Sequence, residues 1–469
     1  MRQILLVAAI LGGWMPAVAQ ESPATNPPQT AAVPNPPAFQ ETIVVTAGLA
    51  PEAVAESPGA VTVIDRQEIA ARQSTSLSDL LAVVPGMTVV QTGSPGQQTS
   101  VFLRGADSDQ TLLLWNGIEL NDPFFGGANW QLVPSEGVGR IEVLRGPGSA
   151  QYGSNAVGGV VQVITGGERG TSVRVEGGEN GYLRAGGASG FDAGPVHFDL
   201  AGHLRGGDGE FRNDRFTSED LSARATWNLA PATSLGLLAR GDDSETGIPF
   251  AGLPTFERRI SWNERELALP FHAERGRWEV DAQLSDFRLT SAFRDPADPA
   301  GFVSSDTESE ALRGRTVASY RVGDDLRLSA GAEGDRLEVT EGSNFGTDLA
   351  GSRQRTWAAF GETGYDLGEV HLQGGLRRDQ NDVYGGQTSL RLGGVARLAP
   401  TTRLRASYGE AFRAPFLGEL FFPGSGNPDL RPESSASTEL GLEQDAGPFR
   451  FAVTAFEARQ RNLIDFDFA

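Results

Sequence analysis

Four histidines, His197, His203, His272 and His371, are the only imidazoles in 469 residues, and they stand far apart along the chain. No two share the spacing of a metal-binding pair, cysteine is absent, and no nucleophile with its base can be read. Enzymatic chemistry is therefore not expected. The glycine-rich run LRGPGSAQYGSNAVGG lacks the Gly-Lys-Ser/Thr ending of a phosphate loop and is not followed by a clear helix. Asp214, Asp242 and Asp243 offer oxygen ligands that calcium accepts, although the twelve-residue spacing of a calcium loop is missing. What remains is charge in apolar surroundings. Arg104 in SVFLRG and Arg145 in RIEVLRGPG each need a partner, because a buried unpaired charge costs several kcal/mol.

The elements that must position these residues follow from composition and pattern. A formal net charge of -21 leaves no basic stripe to neutralise phosphates, so no nucleic-acid partner is expected, while a membrane partner stays open. Residues 1–19 carry Arg2, an apolar core from Ile4 to Leu11 and the small-x-small end Ala17-Val18-Ala19, the pattern of a secretory signal. That apolar run is well short of the ~20 residues that span a bilayer. Residues 20–40 are rich in Pro, Ala, Asn and Gln and read as an extended leader. ETIVVTAG, residues 41–48, then places a β-branched strand where no partner is evident. Such a free edge is an aggregation hazard unless another chain pairs with it; the alternative is the first strand of the next domain.

Residues 53–165 read as a small α+β domain. LSDLLAVVPGMTVV starts with helical spacing at Leu77, Leu80 and Leu81, stops at Pro85-Gly86 and re-enters as a strand. SVFLRG, TLLLWNGIEL, RIEVLRGPG and GGVVQVIT are short apolar strands broken by glycine. Two glycine-broken stretches, QTGSPGQQ and NDPFFGGANWQ, suggest ligand-facing apices carrying Ser94, Gln97, Phe124, Phe125, Asn129 and Trp130.

Residues 169–469 change pattern. LSARATWNL puts Leu221, Ala223, Ala225, Trp227 and Leu229 on one face and Ser222, Arg224, Thr226 and Asn228 on the other, and HFDLAGHLR and PFRFAVTAF repeat the alternation. Period two sustained over some three hundred residues is what strands show when one face meets lipid and the other a wet lumen. Short turns such as DAGP, ERGR, VGDD and DLGE alternate with mostly longer connections such as GGDGEFRNDRFTS. That asymmetry is the topology of an outer-membrane barrel.

With those motifs in order, the chain resembles the TonB-dependent outer-membrane receptors. ETIVVTA resembles the TonB box, FLRG and IEVLRGPGSAQYGSNAVGGVVQVIT the plug signatures, and ASYGEAFRAPFLGELFFPGSGNPDLRPESSASTELGLEQ a barrel segment. The resemblance implies a mostly β fold, an antiparallel transmembrane β-barrel holding an N-terminal α+β plug, in the bacterial outer membrane. It implies that Glu41, Thr42, Ile43, Val44, Val45, Thr46 and Ala47 pair with TonB, which works with its ExbB/ExbD motor, and that Arg104 and Arg145 face the wall glutamates Glu362 and Glu439. It implies TonB-driven uptake of a scarce large ligand: cobalamin first, a ferric siderophore as the alternative. No cofactor beyond calcium is expected, and the molecule is expected to be a monomer in outer-membrane lipid. Counting from Thr171 gives roughly fifteen strands against the about twenty-two of such barrels. A C-terminally incomplete barrel is therefore expected, with a smaller closed barrel and a non-functional remnant as alternatives.

Overall fold

A computed structural model of the protein describes residues 43–44, 47–74, 76–167, 170–249, 257–447 and 449–465. The signal-like segment, the leader and Glu41, Thr42, Val45 and Thr46 of the box lie outside them.

The N-terminal strand is not free. β1 (Ile43–Val44) pairs antiparallel with β2 (Glu52–Ala53), Ile43 opposite Ala53 and Val44 opposite Glu52. This corrects the expectation of an unpartnered edge: the chain turns back through residues 47–50, which are all buried, and covers its own strand. Nor is it the first strand of the neighbouring domain, because β1 and β2 form a separate two-stranded sheet.

The domain that follows is built on a five-stranded sheet. Its strands are β3 (Ala60–Asp65), β6 (Thr111–Trp115), β7 (Ile118–Glu119), β8 (Val138–Arg145) and β9 (Gly159–Thr165), in the order β3-β8-β9-β6-β7. The hairpin β4 (Met87–Gln91) and β5 (Thr99–Leu103) lies outside it. TLLLWNGIEL becomes two strands because Asn116 and Gly117 both take positive φ, 49° and 85°, the requirement of a two-residue hairpin turn. Helix α2 (Leu77–Leu81) forms where Leu77, Leu80 and Leu81 share an apolar face, capped by Ser76, whose side chain accepts the Asp79 N–H. Helix α1 (Arg66–Arg72), capped by Asp65, buries no residue and so left no apolar stripe to read. Within the glycine-rich run lies α3 (Ser149–Tyr152), one turn long, and the run leads into β9 rather than a helix.

Fifteen antiparallel strands in chain order form the second sheet. They are β10 (Gly170–Gly177), β11 (Leu183–Ala193), β12 (Val196–Gly207), β13 (Phe216–Ala230), β14 (Thr233–Gly247), β15 (Arg259–Arg275), β16 (Trp278–Arg294) and β17 (Ser304–Val322). The sheet continues through β18 (Leu326–Ser343), β19 (Gly346–Leu367), β20 (Val370–Asn381), β21 (Gly385–Ala399), β22 (Thr402–Arg413), β23 (Glu433–Ala446) and β24 (Phe449–Arg461). Among the described residues no pairing joins β24 to β10, so the sheet has two edges. One end carries tight turns, for example 194–195, 276–277 and 368–369; the longest connection at the other, 414–432, contains helix α4 (Leu417–Phe421).

Alternation sorts the two faces as expected. Leu221, Trp227, Leu229, Leu200 and Leu204 point outward and are exposed, whereas Ser222 and His203 point inward and are buried. The inner face wraps the N-terminal domain, and the apolar core crosses between them: Trp115, Trp130 and Leu132 pack in one cluster with Leu238, Trp262, Phe287 and Leu289 of the wall. Buried arginines of the wall hold carbonyls of the enclosed domain. Arg240 Nη2 donates to Leu132 O at 2.6 Å while its other nitrogens bind Asp220, Glu264 and Glu266, so its charge is compensated where water is excluded.

Candidate functional site

The segment that follows β1 is held to the wall mainly through its backbone. Ala47 O accepts from Arg391 Nη1 at 2.6 Å and from Gln151 Nε2 at 2.8 Å. Leu49 N donates to Glu362 Oε1 at 2.9 Å, and Pro51 O accepts from Arg327 Nη1 at 2.7 Å. Backbone contacts of this kind ask little of the side chains, so the segment tolerates sequence change while its path stays fixed. One side chain does anchor: Leu49 packs with Val317, Ala358 and Phe360.

Two carboxyl groups flank Gly48. A Cβ built there would lie 3.0 Å from Glu362 Oε1 and 3.0 Å from Glu52 Oε2, so glycine lets the chain pass between them. Glu52 Oε2 accepts from Gln373 Nε2 at 2.8 Å, while its Oε1 is buried without a hydrogen-bond partner. Burial first, and then the neighbouring Glu362 charge, push the Glu52 carboxyl up to about 8, against the opposing pull of Arg391. At neutral pH it is mostly protonated. Gln151 of α3 ties this site to the enclosed domain, since Nε2 donates both to Ala47 O and to Glu362 Oε2.

The arginine and glutamate expectations are met in part. Arg104 Nη2 lies 2.6 Å from Glu439 Oε2, with both side chains buried, and its guanidinium sits 4.4 Å from the centre of the Phe456 ring. Arg145 does not pair with Glu362. Its Nη1 reaches Pro85 O at 3.4 Å, and burial together with the nearby cations Arg104 and Arg405 brings its pKa down to about 10. Glu439 is instead shared with Arg405, which also approaches Glu443 at 3.5 Å. The physical reason is position: Glu362 lies beside the box segment and is occupied by Leu49 and Gln151.

The apical candidates need correction. Ser94 and Gln97 are buried fasteners to the wall: Ser94 Oγ donates to Asp214, and Gln97 Nε2 donates to Asp214 Oδ1 at 2.7 Å and Gly247 O at 2.7 Å. Trp130 is fully buried in the core, and Phe124 packs with Val339, Leu349 and Leu417. Asn129 is half-buried, its Oδ1 accepting from Gln131. Phe125 alone among these is an exposed aromatic, at 68%. Nor do the three aspartates converge on an ion. Asp214 is saturated by Ser94, Gln97 and the Glu210 and Phe211 N–H groups, and Asp242 and Asp243, adjacent on a strand, face opposite sides of the sheet.

An enclosed domain, a wall around it and a docked N-terminal strand are the parts of one known architecture. Residues 53–160 match the model described as TonB-dependent Receptor Plug Domain, and residues 164–469 match that described as TonB dependent receptor-like, beta-barrel. The chain belongs to the TonB-dependent receptors. Among curated relatives of this receptor, the vitamin B12 transporter BtuB of Photobacterium profundum is 28% identical over 446 residues, covering 90% of this chain and 70% of the relative. That of Vibrio vulnificus is 28% identical over 443 residues, 90% and 71% of the two chains. Solved structures share the fold. A mutant of the ferric enterobactin receptor PfeA of Pseudomonas aeruginosa superposes with TM-score 0.74 at 20% identity, covering 90% of this chain and 73% of that one. The copper transporter OprC gives 0.72 at 20% identity, covering 85% and 71%. The family is one of receptors and transporters rather than enzymes, its barrels are outer-membrane proteins, and its members work with TonB.

Sequence reasoning missed Glu52, Gln151, Arg391 and Arg405. Gln151 stood within the recognised plug signature, but nothing along the chain linked it to Ala47, 104 residues away.

Proposed function

We propose that this receptor takes up a corrinoid of the cobalamin type across the bacterial outer membrane, with energy delivered by TonB and its ExbB/ExbD motor to the strand around Ile43 and Val44. The observation that carries this reading is the match to the vitamin B12 transporters running through both plug and barrel at 28% identity. The docked strand supports the second half. Pairing of β1 with β2 leaves its other edge as the one a partner strand can extend, and the contacts of Ala47, Leu49 and Pro51 are a handful of hydrogen bonds, mostly to charged side chains and worth about 1.5–3 kcal/mol each, few enough to be exchanged. Ligand bound above shifts the segment from docked to exposed, and pulling on it then remodels the plug.

Phe125, exposed on the plug loop that meets α4 of the longest connection, is the aromatic we assign to ligand contact. The experiment is a titration of outer membranes bearing the protein with cyanocobalamin and with a panel of ferric siderophores. Saturable binding of cyanocobalamin is expected; saturable binding of the iron chelates alone would overturn the reading. Ile43→Pro, which removes a donor and blocks strand addition, is expected to abolish energy-dependent uptake while leaving that binding intact.

A further inference from the structure

The histidines that are scattered along the chain are ordered in the wall. His197, His272 and His371 each stand directly across a strand pair from an aspartate: Asp192, Asp281 and Asp366. The Nδ1 to Oδ1 distances are 2.7, 2.8 and 2.7 Å. Each pair sits near a short turn, and strand alternation points all three into the lumen at its periplasmic mouth. Taken alone, such a pair is a cross-strand hydrogen bond.

At His272 there is more. Glu279 lies two residues before Asp281 on the same face of β16, and one donor atom each from His272, Glu279 and Asp281 lie within 4.8 Å of one another. This is the one such trio among the described residues. His197 shows the contrast, because Asp192 and Asp199 approach opposite ring nitrogens, at 2.7 and 3.3 Å, and cannot share an ion. Charge around the trio is unbalanced. Glu274 adds a third carboxylate 3.5 Å from His272 Nε2, whereas a single guanidinium, Arg327, acts on Glu279. His272 and Asp281 also line a cavity of about 380 Å³ shared with Gly48, Leu49 and Pro51, which gives an ion a path in and room for a water ligand.

We propose that His272, Glu279 and Asp281 form a binding site for a divalent transition-metal ion of the zinc class. One imidazole nitrogen with two carboxylate oxygens is a ligand set zinc accepts, and the fourth tetrahedral position opens on the cavity. Donors about 2.0–2.2 Å from such an ion stand about 3.3–3.6 Å apart, so small side-chain rotations close the site, with the ion replacing the proton between His272 and Asp281. Calcium and magnesium prefer all-oxygen shells, and copper(I) prefers sulfur, so the imidazole favours zinc, nickel or copper(II). Two adjacent hydrogen-bonded strands supply the ligands, which fixes their spacing.

The test uses the full chain, untagged and stripped of metal, in detergent with excess calcium. Because the protein contains no cysteine, no thiolate competes for the ion. Calorimetric titration with zinc chloride is expected to show one saturable site, weakened at least tenfold in His272→Ala and in Asp281→Asn and unchanged in His197→Ala and His371→Ala. Asp281→Asn keeps a cross-strand hydrogen-bond acceptor, so its loss of zinc binding separates ligation from folding. With copper(II), nitrogen coupling from a single imidazole is expected in the electron paramagnetic resonance spectrum and should vanish only in His272→Ala. No saturable zinc binding, or binding that survives His272→Ala, overturns the proposal, as does equal loss in His371→Ala.

Discussion

The side chain of Glu362, on the barrel wall, accepts the backbone N–H of Leu49 at 2.9 Å, joining residues 313 positions apart. Its second oxygen takes Gln151 of the plug at 3.0 Å, so one carboxylate holds the box segment, the plug and the wall together. Removing it should loosen the segment without disturbing the ligand side. Glu362→Ala is expected to raise the maleimide labelling rate of a cysteine placed at the buried Ala50 by roughly tenfold to a hundredfold, since hydrogen bonds to charged groups are worth about 1.5–3 kcal/mol. An unchanged rate would show that Glu362 does not hold the segment.

Docking of the same segment should depend on pH through Glu52. Its carboxyl is raised from 4.5 to about 8 when docked, so docking favours the protonated form. The stabilisation is fully present below pH about 4.5 and is lost as pH rises through about 8, roughly tenfold in the docking equilibrium per pH unit in between. Burial sets the direction, and of the charged groups that face Glu52, Glu362 and Glu56 raise it while Arg391 opposes. Labelling at position 50 should therefore rise from pH 6 to pH 9, and Glu52→Gln should flatten that rise. A rise of equal steepness in the variant would count against Glu52 as the titrating group.

The cluster at Glu439 predicts an asymmetry. Arg104→Ala leaves Glu439 still paired with Arg405, whereas Glu439→Ala leaves Arg104, Arg145 and Arg405 together with Glu443 as the nearby anion. Glu439→Ala is thus expected to destabilise the plug by about 3–5 kcal/mol and Arg104→Ala by less. The fluorescence of the buried Trp115 and Trp130 in a urea titration reads this order directly.

At the apex, the burial pattern separates fasteners from contacts. Ser94→Ala and Gln97→Ala should increase hydrogen exchange of residues 92–98 and leave cyanocobalamin affinity within about twofold, because both side chains are spent on Asp214 and its neighbours. Phe125→Ala should weaken cyanocobalamin by roughly tenfold, as loss of one aromatic contact does. Equal effects of the three substitutions would remove the distinction.

Local pattern determined the architecture of this protein. Alternation at residues such as Leu221 to Leu229 depends only on a two-residue repeat with lipid on one side, so both strand and face could be read from the chain itself, as could the apolar plug strands and the helix at Leu77, Leu80 and Leu81, which however ends at Leu81, short of the Pro85-Gly86 stop. Helix α1 could not, because it buries nothing and so carries no periodic mark. The partners were decided by the tertiary structure alone. Whether Arg145 meets Glu362 or Pro85, whether Trp130 faces ligand or core, and which histidine gathers two carboxylates within reach of a single ion depend on strand register and on how the plug seats in the wall. Those contacts span from tens to more than three hundred residues, for example Gln110 to Glu433 and Ala47 to Arg391. A linear chain specifies them only through the sum of many weak packing terms, so they become legible only when the fold places the side chains together.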